Sequence, residues 1–284
     1  MSIRPANFSG TWYPDSASAC EREIRSFLSE YPSDAAEEET FVGGVVPHAG
    51  WFFSGSIACN VIHRLSRGEA PDVVVVFGMH LHPGSRPCMM TEGAWETPFG
   101  ELAVAEDLAD ALADRFRFRI ETPERFISDN TIELQLPFVK YFFRSSKVLA
   151  IGVPPADQTL DIAYSVVEIA EQLGHRVRVI GSTDLTHYGA NYNFAPRGSG
   201  AEALDWVCNE NDRKFIDALT AMNPAEIIRE GLAHQNACCA GAAAAAVAAA
   251  RKLGAKRART VAYATSHDKH PGDSFVGYVG MVFG

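Results

Sequence analysis

Six short runs of valine, isoleucine and other apolar residues, at 42–46, 73–77, 148–153, 177–180, 261–264 and 275–283, limit this fold more than any other feature. Most are continuous rather than alternating, which is the pattern of strands covered on both faces. Helical patterns fall between them at 16–29, 56–65, 106–115, 160–173, 201–219 and 237–253, with Gly174 and Gly254 placed where a helix would end. Strands alternating with helices predict an α/β fold with parallel pairs at the centre of its sheet. No stretch reads as a linker and no repeat is present, so residues 1–284 are expected to form a single domain. The run 237–250 is mostly alanine. It predicts a soluble helix whose small side chains let it approach a sheet closely.

Composition narrows the partners. The chain is 47% hydrophobic, ample for a large core, and its formal net charge is -10. Such a surface repels phosphate backbones and anionic lipid, so neither nucleic acid nor a membrane is expected as a partner. The first residues lack the basic start and apolar stretch of a secretory signal, and a cytoplasmic location is expected. The six cysteines, Cys20, Cys59, Cys88, Cys208, Cys238 and Cys239, form no C-x-x-C pair and are expected as free thiols.

In open α/β sheets, ligands bind beyond the carboxyl ends of the strands. The 42–46 run leads into Pro47-His48, the 73–77 run into Gly78-Met79-His80-Leu81-His82, and the 177–180 run into Ser182-Thr183-Asp184-Leu185-Thr186-His187. Any one of these histidines alone is more often a loop or core residue than a ligand. Three strand tips delivering imidazole or carboxylate to the same edge form a candidate site. Two histidines and a carboxylate suit non-heme Fe(II), and such a set also holds Zn(II) with an open position. Cys238, after His234-Gln235-Asn236 at the start of the alanine-rich helix, reads equally as an activated thiol or as a buried small hydrophobe. Asp129 reads as the cap of a helix carrying Glu133.

The order of several further motifs resembles the Memo family. They are Arg4-Pro5-Ala6, Gly10-Thr11-Trp12-Tyr13-Pro14, Pro47-His48-Ala49-Gly50-Trp51, Glu96-Thr97-Pro98-Phe99-Gly100, Ile132-Glu133-Leu134-Gln135-Leu136-Pro137-Phe138, Ser182-Thr183-Asp184-Leu185-Thr186-His187-Tyr188-Gly189 and Tyr263-Ala264-Thr265-Ser266. Bacterial members of that family are called AmmeMemoRadiSam system protein B, which implies a functional link to an AMMECR-like protein and a radical S-adenosylmethionine protein. The resemblance implies a fold like the catalytic subunit of class III extradiol dioxygenases, with a central mixed, largely parallel sheet flanked by helices. It also implies one metal ion, held by His48, a histidine of the 80–82 segment and Cys238, with His187 as acid/base and Asp184 beside it. Of the two histidines, His80 is preferred because it lies nearer the strand end, and His82 is the alternative. Asn130, Glu133 and His234 are expected around the pocket.

The sequence departs from the family pattern in three places. The family has its histidine third after the strand-end glycine, whereas His80 is second and His82 fourth. A histidine of the pattern Glu-His-Ser-Ile-Glu is replaced by Asn130, which can hydrogen-bond but cannot shuttle a proton at neutral pH. Cys-Gly-x-Gly-Pro becomes Cys238-Cys239-Ala240-Gly241-Ala242. Additional histidines, His267 and His270, stand in a segment that reads as pocket wall or solvated loop.

The leading functional expectation is a metal-dependent oxidoreductase, dioxygenase-like, acting on a small aromatic substrate, with Fe(II) favoured and Cu or Zn as alternatives. A non-catalytic metal-binding or scaffold protein and a zinc-type hydrolase are the competing readings.

Overall fold

The computed structural model describes residues 2–31 and 39–284. Its centre is four parallel strands in the order Gly43–Val46, Val177–Ser182, Val73–Gly78 and Lys147–Gly152. Antiparallel additions widen this core into a mixed nine-stranded sheet. Phe275–Phe283 pairs with Gly43–Val46 and carries both Ala258–Thr265 and the short His187–Tyr188. At the other edge, Cys88–Met90 pairs antiparallel to Lys147–Gly152 and parallel to Arg119–Glu121. All six apolar runs are strands, and the valines of Val73–Gly78 are fully buried, as continuous runs require.

Helices cover both faces. Ser56–Leu65 packs on Gly43–Val46 and Phe275–Phe283, with Ala17–Glu30 outside it. On the opposite face lies Ala240–Lys252, sandwiched between the parallel strands and the outer helices Asp157–Gln172 and Pro224–His234. Every residue from Ala240 to Ala250 is buried, so this helix is enclosed on all sides. Close approach is possible because both surfaces are trimmed. A Cβ on Gly181 would stand 2.5 Å from the Ala242 carbonyl oxygen. Gly174 and Gly254 adopt positive φ just after the helices that they end.

Three local departures from the sequence reading matter for the site. The alanine-rich helix begins at Ala240 with Cys239 as its N-cap residue, so Cys238 precedes the helix rather than opening it. The 201–219 helix contains a π-helical turn at Val207–Asn211, which shifts the following residues around the axis and turns Asn211 and Asp212 inward. A helix over Pro224–His234, started by Asn223 and Pro224 and stopped by Gln235 in the left-handed region, was not expected. No helix among the described residues is long and apolar enough to cross a membrane.

Candidate metal centre

Parallel strands place their carboxyl ends together, and here that edge gathers His48, Met79-His80 and Thr183-Asp184 beside the amino end of the alanine-rich helix. One donor atom from each of His48, His80, Cys238 and Cys239 lies within 4.8 Å of the others.

The two imidazoles are oriented alike. The Ser182 hydroxyl donates to the Thr131 carbonyl (2.7 Å), so its oxygen accepts from Nδ1 of His48 at 3.0 Å. Nδ1 of His80 donates to the Asp129 carboxylate at 3.0 Å. Both rings thus commit Nδ1 to an outer oxygen and leave Nε2 for the cluster, an arrangement typical of metal-ligating histidines. The rings meet edge to face with centroids 5.1 Å apart.

Cys238 completes the group. Its sulfur stands 3.2 Å from Nε2 of His48 and accepts the Asp184 backbone N–H at 3.3 Å. The Cys238 backbone N–H returns a bond to the Asp184 carbonyl at 3.2 Å. Burial alone would raise the thiol, but hydrogen bonds from Cys239 and the histidines, with the charge of His48, hold Cys238 well below its ordinary range as a thiolate. Cys239 moves the other way, because it is buried beside that thiolate. Its N–H is capped by the Thr183 hydroxyl at 3.1 Å, and its thiol faces the Met79 carbonyl at 3.5 Å. Burial opposes protonation of both imidazoles but is outweighed. Asp184 and Cys238 raise His48, while Asp129 and Cys238 push His80 up to about 10. Asp129 is correspondingly held well below the usual carboxylate range.

The segment 129–135 braces the centre from one side. Asp129 caps Asn130–Glu133 through the Thr131 N–H, as expected, and its second oxygen serves His80. The Thr131 hydroxyl receives the Met79 N–H, which fixes the left-handed backbone of Met79. Asn130 donates to the His48 carbonyl at 2.8 Å, and Gln135 to the Pro47 carbonyl at 3.0 Å.

A pocket of about 620 Å³ opens over His48 and His80. Asp184, His187, Asn130 and His270 contribute polar wall, and Trp12, Phe52, Phe53, Tyr192 and Tyr278 contribute aromatic wall. Asp184 is buried and accepts the His48 N–H at 2.7 Å, and burial pushes its carboxyl up. His187 donates from Nδ1 to the Leu185 carbonyl (3.2 Å) and packs edge-on against Tyr192, which leaves Nε2 for the pocket.

Of the expected residues, His48, His80 and Cys238 come together, while Asp184, His187 and Asn130 line the adjoining pocket. His82 is exposed and outside the cluster. Glu133 is buried behind the site, where it receives the Phe8 N–H at 2.7 Å and the Tyr13 hydroxyl at 3.1 Å, tying down the N-terminal segment. His234 is not part of the pocket wall. It ends its own helix, paired to Glu230, because Gln235 turns the chain before it reaches Cys238. His270 lines the pocket, whereas His267 faces the Gly272 carbonyl. The sequence reading missed Cys239, Asp129 and Ser182. Only Cys239 carried a local signal, its adjacency to Cys238. None of the six cysteines is in a disulfide.

The donor set suits a transition metal. Tetrahedral bonds of about 2.0–2.3 Å place neighbouring donors about 3.3–3.8 Å apart, and the cluster, with 3.2 Å as one edge and nothing beyond 4.8 Å, brackets that spacing.

The profile of the Memo-like protein family matches residues 4–282. A MEMO1 family protein of Methanococcoides burtonii is 30% identical over 284 residues, covering 99% of each chain. One from Methanopyrus kandleri is 31% identical over 288 residues, covering 96% of each. A third, from Pyrococcus furiosus, is 29% identical over 292 residues, covering 99% of this chain and 98% of the relative.

Proposed function

The chain belongs to the Memo family, and on that premise we propose that it is a metal-dependent oxidoreductase, dioxygenase-like, holding one transition-metal ion through His48, His80 and Cys238. The observation that carries this reading is the shared orientation of the two imidazoles. Each has Nδ1 occupied by an oxygen and Nε2 aimed at a thiolate. Fe(II) is the favoured ion, with Cu or Zn as alternatives; when bound, it would supply redox chemistry or Lewis acidity next to the pocket.

The chain's own groups divide the remaining work. Asp184 fixes the His48 backbone and, through its N–H, the sulfur of Cys238. His187 offers Nε2 to the pocket as acid/base. Asn130 spends its amide N–H on the His48 carbonyl, so it anchors a ligand loop and moves no proton. Among the described residues, no lysine or arginine lines the pocket, while five aromatic side chains do. That wall favours a small, planar, uncharged aromatic substrate over a phosphorylated one.

A second reading is favoured by Cys239. A fourth donor within reach can close the coordination sphere, and closed four-donor sites are the mark of metal-holding rather than catalytic centres. Metal analysis of protein purified without oxygen, followed by oxygen uptake with catechol, separates the two. Iron with uptake supports the oxidoreductase. Iron-loaded protein that consumes no oxygen with any catechol leaves the metal-holding reading, and protein that binds no transition metal overturns both.

A further inference from the structure

Behind the pocket, a second polar cluster is sealed inside the protein. Asp212 is fully buried at the end of the π-helical turn Val207–Asn211. Its Oδ1 accepts both the backbone N–H (3.0 Å) and the hydroxyl (2.5 Å) of Thr186, the residue before His187. Its Oδ2 accepts the Tyr263 hydroxyl at 2.8 Å. The neighbouring strand makes room for it, since a Cβ on Gly277 would stand 1.9 Å from Oδ2. Asn211 donates to the Thr186 hydroxyl oxygen at 3.0 Å and receives, on its carbonyl, the Asn236 side chain at 2.9 Å. The π-helical turn thus presents two consecutive polar side chains to the Asp184–His187 turn.

A buried carboxylate costs several kcal/mol of desolvation unless its partners compensate, and an apolar residue would fill the same space more cheaply. We infer that Asp212 is the positioning residue of His187: through Thr186 it fixes the turn that presents the His187 ring, and it places a negative charge behind that imidazole. Asp212 does not reach the pocket itself. The charged groups that bear on His187 are Asp184 from its own turn and Asp212 from the helix, with Tyr192 edge-on to the ring. Tyr263 and, behind it, Cys208 complete the surroundings of Asp212. The assignment rests on the reading of His187 as the acid/base of the proposed site.

The test follows His187 by NMR in ring-labelled, metal-free protein, comparing wild type with Asp212→Asn and Tyr263→Phe. Asparagine keeps the acceptor for Thr186 but removes the charge. The expected result is a fall in the His187 titration midpoint on the order of half a pH unit, with a moved ring signal and an unchanged signal for exposed His82. Should Asp212→Asn fail to fold, Tyr263→Phe reads the same link, because without the phenol donor the carboxyl rises further and is neutral over more of the range, so the His187 midpoint falls. Unchanged His187 midpoints in the variants that fold, whether or not they are less stable, overturn the inference. Cobalt titration of the same samples keeps the two ideas apart. If wild type takes up no cobalt, the metal reading fails, whereas a positioning failure shows as normal cobalt uptake with an unmoved His187.

Discussion

The sulfur of Cys238 and Nε2 of His48, 190 residues apart in sequence, stand 3.2 Å apart at the carboxyl edge of the sheet. A hydrogen bond from Cys239 together with this contact makes Cys238 unlike every other thiol in the chain. Burial and nearby carboxylates raise Cys20, Cys59, Cys88 and Cys208, and Cys239 is raised beside the thiolate, whereas Cys238 alone is lowered. Iodoacetamide at pH 7 should therefore label Cys238 first in metal-free protein, and its labelling rate should fall less steeply as pH is lowered than that of an ordinary thiol. Peptide mapping by mass spectrometry reads the outcome. His48→Ala should slow labelling, because it removes the charge and the hydrogen bond with which His48 lowers the thiol. Equal labelling of Cys208, or insensitivity to His48, would remove the thiolate from the account.

Metal uptake should release protons. In the metal-free protein His80 lies near 10, so its Nε2 carries a proton at pH 7 that a cation must displace, and Asp184 and Cys238 raise His48 against its burial. Calorimetry in buffers of different ionisation enthalpy should count at least about one proton released per zinc bound if the ligands are His48, His80 and Cys238. Cys239, a thiol in the free protein, adds about one more if it joins. A count lower by about one in Cys239→Ser than in wild type therefore marks a closed site, and an unchanged count an open one. Uptake with no proton release would mean that the imidazoles are not ligands. Affinity should also weaken as pH falls below 7, and Asp129→Asn should lower the count by releasing His80 from its carboxylate.

Much of this centre was legible because strands and tips are local. Continuous valine runs named the strands, and His48 and His80 follow them directly in sequence. The bracing was not legible, since it depends on contacts between distant segments. Asp129 reads from sequence as a cap, which it is, yet its other oxygen serves His80 49 residues away. Ser182 read as part of the tip that follows the 177–180 run, and nothing local says that its hydroxyl fixes the His48 ring. His234 and Glu133 were expected around the pocket. A left-handed Gln235 turns the first away, and the helical turn Asn130–Glu133 carries the second to the opposite side, under Tyr13.

Stability should decline between about pH 4 and pH 6 in a way that depends on Asp212. Burial raises its carboxyl to about 6 despite the donors from Thr186 and Tyr263, whereas the unfolded chain titrates near about 3.9. The folded state thus binds the proton more tightly. The contribution is fully present below the unfolded value, is lost as pH rises through about 6, and is flat above. A shift of about two units corresponds to roughly 3 kcal/mol as an upper scale. Urea unfolding at pH 4, 5, 6 and 7 should show a shallower decline in Asp212→Asn than in wild type. Parallel curves would show that Asp212 is charged throughout the range.

The centre also depends on how closely the alanine-rich helix lies on the sheet, and Gly181 tests that directly. A methyl group there would meet the Ala242 carbonyl oxygen at 2.5 Å and the Ala246 Cβ at 2.9 Å, both atoms of a helix enclosed on every side. The helix cannot retreat without disturbing Asp157–Gln172 and Pro224–His234 behind it, so Gly181→Ala should cost about 1–3 kcal/mol. The damage should not stop at stability. Ser182 and Thr183 follow Gly181 and hold, respectively, the His48 ring and the Cys239 N–H, so a displaced helix separates the thiols from the imidazoles. Zinc affinity in the folded variant should fall at least tenfold. Gly84→Ala is the control, because nothing lies within 4 Å of its added carbon, and its stability should stay within about 0.5 kcal/mol of wild type. A Gly181→Ala protein with wild-type stability and zinc affinity would mean that the helix does not set the position of Cys238.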